Sequence, residues 1–123
     1  MISFDAQGEA PRVLFLCTMG MFRSPTAMFV AQKKFKWNTR CAGTSTIALI
    51  PVTDLLIRWA SVIYCMSFEQ KEGIVKAFPD AIQGKRIRVL DIPDNYEFMD
   101  PELQGLIASK LEDFNAVEMQ APE

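Results

Sequence analysis

Along the chain, apolar residues gather in short unbroken runs, and between the runs they recur at helical spacing. Arg12 to Leu16 is an apolar run with the length of a buried strand, "ASVIYCM" from Ala60 is another, and "IRVLDI" from Ile87 is a third, rich in branched residues. "TRCAGTST" from Thr39 reads as a further short strand with a glycine turn, either a plain strand end or a contact beside the loop that follows the first strand. Ser24-Pro25 offers an N-cap with proline at the first helical position, and Ala27, Val30, Ala31 and Phe35 carry that helix down to Lys36. Lys33, Lys34 and Lys36 are read as its solvated residues. Leu55 to Trp59 predicts a turn or two of helix. Ser67 with Gln70 forms a capping box for a helix carrying Ile74, Val75 and Phe78 and closed by Pro79. Asp100-Pro101 caps the last helix, whose apolar stripe is Leu103, Leu106, Ile107, Leu111 and Phe114. Strands alternating with helices predict an α/β fold, a three-layer sandwich with a central four-stranded parallel sheet covered on both faces.

The length of 123 residues fits a single domain, with an ordered core expected over residues 12–114 and frayed tails outside it. A formal net charge of −2 removes any general attraction for nucleic acid, so an anion held by this chain must be held by local groups. No apolar stretch approaches the roughly 18 residues needed to span a membrane, and the N-terminus lacks a basic segment followed by an apolar one. Cys17, Cys41 and Cys65 are widely spaced and odd in number, against both a disulfide framework and a zinc site, which points to a reducing cytoplasm. The chain has no histidine, so acid–base chemistry falls to carboxylates and a metal centre is not expected.

In open parallel sheets ligands bind beyond the carboxyl ends of the strands, where the strand order reverses. Cys17 ends the first run and the Asp91 to Asp94 turn ends the fourth, so both are expected at one edge of the sheet. Five residues separate Cys17 from Arg23, enough to curl the backbone until successive N–H groups face a common centre and form an anion nest. The helix that follows adds the positive end of its dipole, and Arg23 adds a planar fork suited to two oxygens of one phosphate. The same field acts on the thiol: a free cysteine has a pKa of about 8.5, and a helix N-terminus with a nearby arginine lowers such values and leaves a thiolate nucleophile. Ser24 is placed to donate its hydroxyl to that sulfur. Cys41 and Cys65 have no partners in the sequence and read as structural thiols.

The stretch "VLFLCTMGMFRSPTA" resembles the active-site loop of the low-molecular-weight protein tyrosine phosphatases, and "AGTS" with "GKRIRVLDIPDNYEFMDPEL" looks like a compact bacterial branch of that family, over residues 12–114. The resemblance implies a cysteine-dependent phosphomonoesterase, a protein-tyrosine phosphatase working through a cysteinyl phosphate. It would act on a phosphotyrosine-containing protein or a small aryl phosphate, without cofactor or metal. Position by position, Cys17 matches the nucleophile, Arg23 the phosphate-binding arginine and Ser24 the hydroxyl that assists the sulfur. Thr18, Met19, Gly20, Met21 and Phe22 match the substrate-binding loop. "DIPDNY" aligns Asp94 with the general acid and Tyr96 with an aromatic wall, with Asp91 as the second choice for the acid. Met21, Phe22, Tyr96 and Phe98 are candidates to sandwich an aryl ring.

The departures from the family pattern matter too. Gly20 stands where an asparagine is usual; it supplies the backbone angle without the side-chain hydrogen bonds, which implies a less rigid loop. Phe22 replaces a second cysteine that protects the nucleophile in longer members, and Met28 stands where glutamate is frequent. Other readings stay open: "FLCTMGM" also resembles the phosphocysteine loop of the B components of sugar phosphotransferase systems. Arsenate reductases share the related fold but need resolving cysteines, and a phosphotyrosine-binding module that has lost catalysis would keep the same loop.

Overall fold

Val13, Leu14, Phe15 and Leu16 are wholly buried, the near-continuous pattern of a parallel strand covered on both faces, and they form β1 (Arg12–Cys17) at the centre of the sheet. In this computed structural model, which describes residues 10–19, 23–45, 47–93 and 95–114, β1 is followed by α1 (Arg23–Phe35), β2 (Asn38–Gly43), α2 (Asp54–Trp59), β3 (Val62–Cys65), α3 (Phe68–Ala77), β4 (Arg86–Val89) and α4 (Pro101–Phe114). All neighbouring strands are parallel, in the order β2-β1-β3-β4. The chain steps outward from β1 to β2, crosses back over β1 to β3 and continues to β4. Strand order therefore reverses between β1 and β3, and Cys17 lies at that point.

The period-two alternation of β1 divides the core into the two expected layers. Val13, Phe15 and Cys17 face Ala27, Val30 and Ala31 of α1 and Leu103, Ile107 and Leu111 of α4. Leu14 and Leu16 face Ile57 of α2 and Ile74 of α3. Each such buried aliphatic side chain contributes about 1.5–3 kcal/mol. The first layer ends in an aromatic stack: Phe35 on Trp37 at 4.6 Å between centroids, Trp37 on Tyr64 at 6.2 Å, and Tyr64 on Phe15 at 5.5 Å. No helix among the described residues is long and apolar enough to cross a membrane.

Three local expectations are corrected. The first helix begins at Arg23, so Ser24 lies inside its first turn and is not its cap. Pro25 allows this, because the first N–H groups of a helix have no intrahelical partner to lose. The helix stops at Phe35, not Lys36: Lys36 takes a left-handed backbone at φ 62° and returns its N–H to the Gln32 carbonyl at 3.2 Å. The regular part of β4 ends at Val89. Beyond it the Leu90 and Ile92 amides still reach the carbonyls of Cys65 and Met66, both at 2.8 Å, while Asp91 turns to φ 59° between them. Asp100, by contrast, caps α4 as expected, its Oδ1 accepting the Glu102 N–H at 2.8 Å.

On β2, the Thr39 hydroxyl oxygen is buried with no hydrogen-bond partner among the described residues. Thr39→Val removes an unsatisfied polar atom while keeping the branched shape that suits a strand. It is expected to stabilise the protein by about 1 kcal/mol, raising the melting temperature by about 3–5 °C in a calorimetric scan; a lower melting temperature would contradict it.

Candidate active site

Where β1 ends, its peptide groups are taken over by the segment after β2. The carbonyls of Cys17, Thr18 and Met19 accept the N–H groups of Thr44 at 2.9 Å, Ser45 at 2.9 Å and Leu49 at 3.1 Å. A trans peptide points its N–H opposite to its C=O, so the amides of Thr18 and Met19 are turned away from residues 44–49, toward the other side of the chain. That is the orientation an anion nest requires. "TRCAGTST" therefore does more than end a strand: it orients the loop. The approach is close enough to demand glycine, since a Cβ on Gly43 would sit 2.6 Å from the Thr18 carbonyl oxygen, the Met19 main-chain carbon and the Ala48 Cβ alike.

The first turn of α1 delivers two groups to this end of the sheet. The Ser24 hydroxyl lies 3.1 Å from the Cys17 sulfur, both buried. Arg23 is only 5% exposed, and its Nη1 donates to the Ile92 carbonyl at 3.0 Å. Ile92 follows Asp91 just beyond β4, so the two segments expected to share an edge are in direct contact. Beyond the turn, Met99 is clamped at φ 62°: its N–H donates to Thr26 Oγ1 of α1 at 2.9 Å, and its carbonyl accepts Gln104 Nε2 of α4 at 2.8 Å.

The remaining candidates divide. Thr18 is exposed and Met19 half-buried at the mouth. Tyr96 is half-buried against the α1/α4 layer with its hydroxyl 3.5 Å from Glu102 Oε2, and partial desolvation with the neighbouring Glu102 carboxylate pushes its phenol pKa up. Phe98 is 54% exposed, which removes it from the core. Asp91 is exposed at the surface and lines a cavity of about 340 Å³ with Leu106, Ser109 and Lys110 of α4. Gly20, Met21, Phe22 and Asp94 lie outside the described residues. Among the described residues no group of three or more cysteine or acidic side chains could hold a metal ion.

Cys65 is wholly buried on the opposite sheet face, and burial pushes its thiol up to about 12 against a smaller pull from Lys71, as suits a structural thiol. Cys41 is half-buried and has neighbours that its spacing did not reveal. Register puts Cys41 beside Phe15 and on the same face as Cys17. Burial and the adjacent Cys17 push its thiol pKa up, while a hydrogen bond with Ser24 draws it down. Cross-strand neighbours of this kind have no signature in sequence spacing. Two further features were not read from the sequence: Ile47 and Leu49, 78% and 71% exposed beside the loop, and the reach of the capping-box residue Gln70 to Thr18. The apolar character of Ile47 and Leu49 was visible, but not their position.

No family model and no curated protein matches the sequence. Solved structures do. The chain is similar to the tyrosine phosphatase Wzb from Escherichia coli K30, crystallised in complex with phosphate, at 16% identity and a TM-score of 0.72 over 89% of this chain and 99% of that one. It is similar to the low-molecular-weight protein tyrosine phosphatase from T. tengcongensis at 22% identity and a TM-score of 0.67, over 85% and 99% of the two chains. The YwlE arginine phosphatase from Geobacillus stearothermophilus matches at 22% identity and a TM-score of 0.64, over 91% and 99%. The chain has the fold of the low-molecular-weight protein tyrosine phosphatases, as the resemblance in its first loop implied.

Proposed function

We propose that the protein is a phosphomonoester hydrolase, a protein-tyrosine phosphatase that works through a cysteinyl phosphate. The observation that carries this reading is the hydrogen bond from Arg23 to Ile92, which joins the first residue of α1 to the segment after β4, the segment that would supply the acid. In the first step Cys17, as a thiolate, attacks phosphorus in line; the S–P bond forms as the P–O bond to the phenol breaks. The amides of Thr18 and Met19 with the Arg23 guanidinium meet the charge on the equatorial oxygens. Asp94 gives its proton to the departing phenolate and then, as a carboxylate, takes a proton from the water that releases phosphate. Ser24, 3.1 Å from the sulfur, donates to it as it leaves phosphorus in the second step. Tyr96, Phe98, Ile47 and Leu49 offer ring and aliphatic surface to an aryl group, which favours a phosphotyrosine-containing protein or a small aryl phosphate as substrate. The three free thiols fit a reducing cytoplasm.

Hydrolysis of para-nitrophenyl phosphate, competitively inhibited by vanadate, is the direct test; a folded protein that neither hydrolyses it nor binds vanadate would end this reading. The assignment of the acid has its own test. Asp94→Asn is expected to lower kcat by about 10²–10³-fold, with phenyl phosphate suffering more than para-nitrophenyl phosphate because its leaving group needs the proton more. Asp91→Asn, at a position that lines the α4 cavity, is expected to stay within about threefold of wild type. The reverse pattern would exchange the two roles.

A further inference from the structure

Gln70 is a neutral polar side chain buried to 1% exposure beside the loop, and the reaction above has no use for it. A buried carboxamide must satisfy both its acceptor and its donors, and each partner here is specific. Its Oε1 accepts the Ser67 N–H at 2.6 Å, the capping-box bond at the start of α3. That bond settles which way the amide faces, and its Nε2 is thereby aimed at Thr18 Oγ1, 3.2 Å away and 52 residues distant in sequence. Thr18 is the residue directly after the nucleophile, and its carbonyl is held from the other side by the Ser45 N–H at 2.9 Å.

The same bonds lead on to the far end of the loop. Ser67 follows Met66, whose N–H is fixed on the Leu16 carbonyl at 2.9 Å and whose carbonyl accepts the Ile92 N–H at 2.8 Å. The Ile92 carbonyl in turn receives Arg23. Thr18, Gln70, Ser67, Met66, Ile92 and Arg23 thus form one circuit that ties the first residue after the nucleophile to the arginine at the start of α1. Gln70 is its one side chain that accepts at one end and donates at the other.

Building on the phosphatase reading, we infer that Gln70 is a positioning residue: through Thr18 it holds the start of the anion-binding loop in register with Arg23, so that main-chain amides and guanidinium converge on one tetrahedral oxyanion. Removing it deletes no group that touches the anion but lets Thr18, whose amide is one of them, rotate. The loss then appears in binding of ground state and transition state alike, and so in KM more than in kcat.

The test is a double-mutant cycle on Gln70→Ala and Thr18→Val, read by the dissociation constant of inorganic phosphate in calorimetry and by KM and kcat for para-nitrophenyl phosphate. Each single variant is expected to weaken phosphate binding and raise KM about tenfold, with kcat within about threefold. The double variant is expected to be no worse than either single, since both remove the same bond. Thr18→Ser, which keeps the hydroxyl, restores wild-type constants. Thr18 is exposed, so Thr18→Val and Thr18→Ser retain the fold and decide the matter even if Gln70→Ala does not fold. Additive losses, a Thr18→Val protein with wild-type phosphate affinity, or a Gln70→Ala protein that loses thermal stability alone would each overturn the role of Gln70 and leave the phosphatase reading standing. A wild-type protein that binds no phosphate would overturn both.

Discussion

The Cys17→Ser protein is expected to fold, to keep its affinity for inorganic phosphate, and to turn over para-nitrophenyl phosphate at least about 10⁴-fold more slowly than wild type. Serine has the shape of cysteine with a smaller end atom, and the side chain sits at the end of β1 with the residue only 3% exposed, so the change introduces no clash in the core. What it removes is the nucleophile: a serine hydroxyl is a far weaker acid than a thiol, and with no histidine in the chain the usual general base for a serine is missing. The Thr18 and Met19 amides and Arg23 are untouched, so phosphate still binds. Steady-state kinetics beside a phosphate titration separate the two effects. A serine variant with wild-type turnover excludes the cysteinyl-phosphate mechanism.

Gly43→Ala, beside Cys17 on the neighbouring strand but bearing no group that reacts, is expected to damage both fold and anion binding. Two of the three atoms 2.6 Å from the added methyl group are main-chain atoms of the loop, so the strain cannot be relieved by swinging a flexible side chain. Either β2 moves off β1, or Thr18 and Met19 are pushed toward the anion site and their carbonyls lose Ser45 and Leu49. The expected outcome is a loss of about 2–3 kcal/mol in chemical denaturation together with at least a thirtyfold weaker phosphate affinity, about 2 kcal/mol. Gly73→Ala is the control: its Cβ meets nothing within 4 Å in the interior of α3, and helix propensity favours alanine by about 0.5–1 kcal/mol. If Gly43→Ala behaved like Gly73→Ala, the loop would not depend on this contact.

Much of the architecture was legible from pattern alone because its causes are local. A run such as "VLFLC" can satisfy a strand covered twice and nothing shorter-ranged; the stripe of Leu103, Ile107 and Leu111 can satisfy one face of a helix. The cap at Asp100 and the Ser67–Gln70 box involve groups three residues apart or fewer, and both are present. Local reasoning failed at Ser24 for an equally physical reason. Helix rules make its hydroxyl an N-cap, whereas its partner is the Cys17 sulfur seven residues back, the contact that the chemistry of the loop pointed to.

The order of elements, the two-sided sheet and the candidacy of Cys17 and Arg23 were set by the amino-acid sequence itself, because side-chain period and loop chemistry act over a few residues. The pairing of Arg23 with Ile92, the grip of Gln70 on Thr18, the nearness of Cys41 to Cys17 and the need for glycine at 43 were decided only by the tertiary structure. Each joins different secondary elements, and which elements meet depends on strand order and register, which the four strands settle together.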